Sequence, residues 1–179
     1  MHAILNDTPY PSALFMGVII RLRADRDVNR RRAAFIKAYL LKQPNNILDK
    51  EVLTVELNEK SNYMPYLLGR LFSILEGIQK TAYPTLNATI KDRYFNSACA
   101  TPAVIFPILL KLKNNHLHVI NRDRKNLAVF FENQIGSILN SIQQQFPAHL
   151  SLEEQGVFVL GYYHQTHCRY KSKEENNHG

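Results

Sequence analysis

Helical periodicity constrains this chain more than any other feature. From Met64 onward, apolar side chains recur at Leu67, Leu68, Leu71, Phe72, Leu75 and Ile78. This is the i, i+3, i+4, i+7 spacing that gives a helix one buried stripe. Pro65 stands where a first helical turn tolerates a missing amide. A second stripe runs through Leu127, Phe130, Phe131, Ile135, Ile138, Leu139 and Ile142 and ends near Phe146 and Pro147. Ser151 and Glu154 have the S-x-x-E form of a capping box ahead of an apolar run, which predicts the start of a long C-terminal helix.

The remaining segments fit the same pattern less regularly. Pro11 to about Arg26 carries Leu14, Phe15, Val18, Ile19 and Leu22 and reads as a largely buried helix; Asn29 to Lys42 reads as an amphipathic one. Thr101-Pro102 opens another that reaches about Leu112, with Pro107 expected to kink or split it. Leu48 to Leu57 alternates apolar and polar residues, but a lone strand has no partner. The expectation is an all-α fold: a single compact helical bundle of about six or seven helices over residues 1–170. Residues 171–179 (KSKEENNHG) contain no apolar side chain and are expected to fray.

Bulk properties narrow the function. The chain has 179 residues, 45% of them hydrophobic, enough for one domain with its own core. Ala13 to Ile20 is interrupted by Gly17, and Ala103 to Leu110 contains Pro107. Both fall well short of the roughly 20 apolar residues that span a bilayer. Cys99 and Cys168 allow at most one bridge, and with no sign of a secretory leader, reduced thiols in a cytoplasm are expected. The net charge of +7 favours a polyanionic partner over an acidic small substrate.

The positive charge is clustered. Arg21, Arg23, Arg26, Arg30, Arg31, Arg32, Lys37 and Lys42 face only Asp25 and Asp27. On a helix, Arg30 and Lys37 nearly coincide, flanked by Arg31 and Lys42, in a row about 10 Å long opposite Phe35, Ile36, Tyr39 and Leu40. Such a row matches successive phosphates of a nucleic-acid backbone; it equally fits a solvated helix face. A second cluster, Lys111, Lys113, His116, His118, Arg122, Arg124 and Lys125, is opposed by Asp123 alone. It is expected to cross a helix end and a turn at Asn114-Asn115, where some of it would complement the helix dipole. Two clusters favour sequence-independent phosphate contacts, and nothing in either suggests base reading.

Catalytic and metal patterns are weak. His164, His167 and Cys168 share a helical face and are plausible zinc ligands. The same face continues the stripe of Val157, Leu160 and Gly161, so packed side chains are the expectation and no metal is assigned. His116 and His118, two residues apart, point away from each other on a helix. Glu153-Glu154 resembles a catalytic pair but is explained by capping. Of Tyr162 and Tyr163, one is expected to pack inward and the other to cover the surface. No G-x-G-x-x-G, Walker A or G-x-S-x-G motif is present. No catalytic residue, cofactor or enzymatic activity is expected.

Five blocks carry a resemblance: DTPYPSALFMGVIIRLRAD (Asp7 to Asp25), RRRAAFIKAYLLK (Arg30 to Lys42), YMPYLLGRLFSILEGIQ (Tyr63 to Gln79), DRYFNSACATPAVIFPILLKL (Asp92 to Leu112) and LSLEEQGVFVLGYYHQ (Leu150 to Gln165). In order and spacing they resemble the C-terminal region of the large subunit of the type I-C CRISPR surveillance complex, Cascade. In that family this region is also translated separately, from an internal start, as the small subunit of the complex. The resemblance implies a non-catalytic helical-bundle protein of the prokaryotic cytoplasm, present in more than one copy beside the backbone and large subunits. There it would brace the crRNA–target DNA heteroduplex and hold the displaced strand, and Met1 would be an internal start. The nucleic-acid contacts are then expected at Arg21, Arg23, Arg30, Arg31, Lys37 and Lys42, and at Lys111, Lys113, Arg122, Arg124 and Lys125. Two alternatives stand beside this: a structural module that docks to protein subunits with its charges solvated, and a small zinc enzyme using His164, His167 and Cys168.

Overall fold

The computed structural model describes residues 57–142 and 144–175, with side chains through Arg169. Five helices make up the described region: α1 (Met64–Ala82), α2 (Ile90–Ala100), α3 (Pro102–Asp123), α4 (Lys125–Ser141) and α5 (Leu152–Glu175). No strand occurs among the described residues, and the all-α bundle expected from periodicity is observed. The helices expected at Pro11 to Arg26 and Asn29 to Lys42, and the alternating segment before Leu57, lie outside the described residues. Helix α5 runs to Glu175, beyond the point where the tail was expected to begin.

Local signals account for most helix ends. Pro65 occupies the first turn of α1. Ser151 and Glu154 form the anticipated capping box: the Ser151 amide donates to Glu154 Oε2 at 2.8 Å and the Glu154 amide to Ser151 Oγ at 3.2 Å. Helix α2 has no regular apolar stripe to announce it, yet it carries the same device. The Thr89 amide donates to Asp92 Oδ2 at 2.8 Å, and the Thr89 side chain accepts from the first turn.

Helix α3 is neither split at Pro107 nor interrupted by a turn at Asn114-Asn115. It continues unbroken through Pro107 to Asp123, and Asn114 and Asn115 lie within it rather than in a turn. Pro107 is exposed and close to the helix start, where the one forfeited amide bond is tolerated by a helix twenty-two residues long. The apolar residues Ile105, Phe106, Leu109, Leu117 and Ile120 keep one buried face through both positions.

Helix α1 is buried along every residue from Pro65 to Ile78, not along one stripe. Its two sides do different work. The apolar stripe includes Phe72, whose ring meets Phe95 of α2 and Phe158 and Tyr162 of α5, and α3 and α4 also pack on α1. The opposite side, Tyr66, Gly69, Arg70, Ser73 and Gly77, meets α5. A Cβ placed on Gly69 would collide with the Phe158 carbonyl oxygen and come within 2.8 Å of the Tyr162 amide. One placed on Gly161 would collide with the Tyr66 carbonyl oxygen. The two backbones therefore touch, each through a glycine of its own helix.

Polar side chains line the seam beside this contact. Tyr66 Oη meets His164 Nδ1 at 2.9 Å, and Arg70 Nε donates to Gln165 Oε1 at 3.0 Å. Ser73 Oγ meets Thr166 Oγ1 at 2.8 Å, and Arg169 Nη1 donates to the Ser73 carbonyl at 2.7 Å. Partner numbers rise together along both helices, so α1 and α5 run in the same direction. Further on, Tyr162 Oη donates to Glu76 Oε2 at 2.7 Å and Lys80 Nζ lies 2.6 Å from Glu76 Oε1. Both Tyr162 and Tyr163 are buried, correcting the expectation that one covers the surface. Lys91 Nζ reaches over their rings, 4.8 and 5.4 Å from the centroids. Around Tyr162 an aromatic cluster joins four helices: Phe72 of α1, Phe95 of α2, Phe106 of α3 and Phe158 of α5.

The second predicted stripe is right for Phe131, Ile135 and Ile138 but not for Phe130, which is 53% exposed. Helix α4 buries one face only, and Phe130, about 100° from Phe131, lies off it.

The α1–α5 seam can be tested at its glycines. Gly69→Ala and Gly161→Ala should each lower the free energy of unfolding by at least about 1–3 kcal/mol, the range for overpacked cores. Gly136→Ala, where a Cβ meets nothing within 4 Å, should instead raise it by roughly 0.5–1 kcal/mol. Urea titration of the three variants reads both signs. Burial pushes the Glu76 carboxyl up, but Lys80, the Tyr162 hydroxyl and Arg169 outweigh it and hold the group below its ordinary value. A depressed carboxylate stabilises the fold above its unfolded-state pKa, and the contribution is lost as pH falls through the folded one. Glu76→Gln should therefore cost about 1–3 kcal/mol at pH 7, and the gap from wild type should shrink in urea titrations at pH 3.

Candidate nucleic-acid interface

Of the expected basic surface, the described residues contain Lys111, Lys113 and Arg122 on helix α3, Arg124 after it and Lys125 on α4. Stepping about 100° per residue, Lys111, His118 and Arg122 fall within about 40° of one another, with Asn115 beside them. All four are exposed. The row is about 16 Å long at 1.5 Å per residue and lies opposite the buried face of the helix. Among the described residues neither Lys111 nor Arg122 is held in an ion pair. Arg122 Nη2 approaches His118 Nε2 at 3.4 Å along the row, one helical turn away. Asp123 is exposed but projects about 100° from Arg122. Toward the start of the helix the same face continues as Ile108 and Val104, 43% and 61% exposed.

The other expected members separate from this row. Lys113 lies about 160° from Lys111 and is half-buried toward the core side. Arg124 is the single residue between α3 and α4. Its amide donates to the Ile120 carbonyl at 2.8 Å, and its guanidinium donates to the Thr81 carbonyl at the end of α1, also at 2.8 Å. That bond satisfies one of the carbonyls a helix end leaves open and pins the α3–α4 corner to α1. Lys125 is exposed on the first residue of α4, where the helix dipole disfavours a cation. The structure thus brings Lys111 and Arg122 together, adds His118 and Asn115 to them, and sets Lys113 and Arg124 apart. The i, i+7, i+11 spacing from Lys111 is the sequence signal for the row, and the turn expected at Asn114-Asn115 obscures it. Arg21, Arg23, Arg30, Arg31, Lys37 and Lys42 lie outside the described residues.

The groups weighed for catalysis or metal binding divide between core and surface. His164 is buried against Tyr66, while Cys168 is exposed. Cys99 is buried, its Sγ 3.5 Å from the Gln155 carbonyl, and burial pushes its thiol up. His116 faces inward and His118 outward, as two residues at i and i+2 must. Among the described residues no group of three or more His, Cys, Asp or Glu side chains is placed to hold a metal ion. No described helix is long and apolar enough to cross a membrane.

Fold and surface define a helical-bundle protein that presents a cationic row to solvent. Its sequence matches the model of the family described as CRISPR-associated protein (Cas_Csd1) over residues 1–170. The chain belongs to that CRISPR-associated family, which bears out the resemblance at the level of the family. No curated protein matches it.

Proposed function

We propose that this protein is the small subunit of a type I-C Cascade, braced against the crRNA–DNA heteroduplex and the displaced strand by backbone contacts, without catalysis. Its partners are the backbone and large subunits and further copies of itself, in a prokaryotic cytoplasm. The observation that carries this reading is the α3 row: cations exposed on one helix face, without ion-pair partners among the described residues, in a chain of a CRISPR-associated family. Charges so arranged neutralise phosphates and displace their counterions, which makes binding sequence-independent and strongly salt-dependent. The upstream set of Arg30, Arg31 and Lys37 is assigned the same role from its spacing alone.

A second reading, a module that docks to protein subunits with its charges solvated, is favoured by exposed Val104 and Ile108 on the same face. Salt dependence separates the two. For the double variant Lys111→Ala, Arg122→Ala, the slope of log K for DNA against log salt should become shallower by roughly 0.7–0.9 for each phosphate no longer neutralised. Arg30→Ala, Arg31→Ala, Lys37→Ala should act in the same direction. An unchanged slope in the α3 variant, with the fold intact, favours the docking module.

A further inference from the structure

The C-terminal end of α1 holds a partly exposed aromatic ring. Tyr83 caps the helix. Its amide donates to the Gln79 carbonyl at 2.8 Å, and its own carbonyl accepts from the Leu86 amide at 3.3 Å, so the backbone is held on both sides. Its ring stands edge-to-face with His116, centroids 5.7 Å apart and planes at 83°. Even so, 41% of the residue is exposed. Tyr66, Tyr162 and Tyr163, which serve the core, are at most 2% exposed. Tyr83 is oriented like a core residue and displayed like a surface one.

A cation is fixed beside the same helix end. The Arg124 guanidinium is anchored two residues away, on the Thr81 carbonyl, and exposed Lys125 is the next residue along the chain. One N–H to a carbonyl leaves Arg124 further donors. A fixed ring with a guanidinium held close by is the arrangement by which proteins hold unpaired bases without reading them. Burial lowers the pKa of His116, which favours a neutral imidazole beneath the tyrosine.

We infer that Tyr83 is a stacking platform for an unpaired nucleobase, with Arg124 and Lys125 on the adjoining phosphates; the inference rests on the nucleic-acid reading of the α3 row. A duplex keeps its base faces covered, so the partner at this corner is single-stranded.

The test compares two fluorescein-labelled strands of equal length, an oligothymidylate and an abasic phosphodiester, titrated with the full chain and read by anisotropy at two salt concentrations. Tyr83→Ala should weaken binding to oligothymidylate at least about fivefold, leave the abasic strand unaffected and leave the salt slope unchanged. Tyr83→Phe should bind as the wild type does. Tyr83→Leu, which keeps bulk over His116 without a π face, should lose the same preference, so the test does not depend on the alanine variant folding. Equal losses on both strands, or no loss on oligothymidylate, overturn the platform alone. A wild type that binds neither strand in a salt-dependent way overturns the proposed function and this inference together.

Discussion

The backbone contact between α1 and α5 organises the bundle. Gly69 and Gly161 remove the side chains that would hold the helices a normal distance apart, and each then admits a carbonyl oxygen of the other helix. At that separation the flanking polar side chains reach one another across the seam. Tyr66, Arg70 and Ser73 do so with His164, Gln165 and Thr166. With one side of α1 sealed in this way, the rest of the helix packs with α2, α3 and α4. That is why an apparently one-faced helix is buried on both.

Close approach of this kind makes the polar seam selective. A buried Tyr–His or Arg–Gln pair is satisfied in one register and leaves unpaired groups in the neighbouring ones, each costing about 1–3 kcal/mol. The aromatic cluster around Phe72 and Tyr162 is tolerant by comparison, since edge-to-face contacts accept modest shifts. The cluster supplies burial from four helices, and the seam fixes which turn of α5 meets which turn of α1.

The sequence disclosed those parts of the fold that depend on near neighbours along the chain. Pro65, the Ser151–Glu154 capping box and the 64–78 stripe each rest on residues within a few turns, and each is observed. What it concealed depends on contacts distant in sequence. Nothing local shows that Gly69 faces a carbonyl of α5, or that Tyr162 and Tyr163 both find buried surroundings. Phe130 misleads because its apolar ring suggests burial that its helical angle denies. On α3 the two adjacent asparagines suggest a turn and so divide one basic row into pieces; once the helix is continuous, Lys111 and Arg122 align and Lys113 departs. For the upstream basic residues, spacing remains the whole of the argument.

The parallel course of α1 and α5 bears on how the chain is made. Two helices pointing the same way need the intervening chain to travel back, and α2 to α4 supply that return. The seam partners are consequently 93 to 98 residues apart in sequence. During synthesis α1 leaves the ribosome before α2 to α5, and among the described helices it waits for the last before its glycine side meets a partner. Among the described helices the last one closes the bundle, and a chain halted before Leu152 would leave the polar, glycine-lined side of α1 without the helix that packs on it.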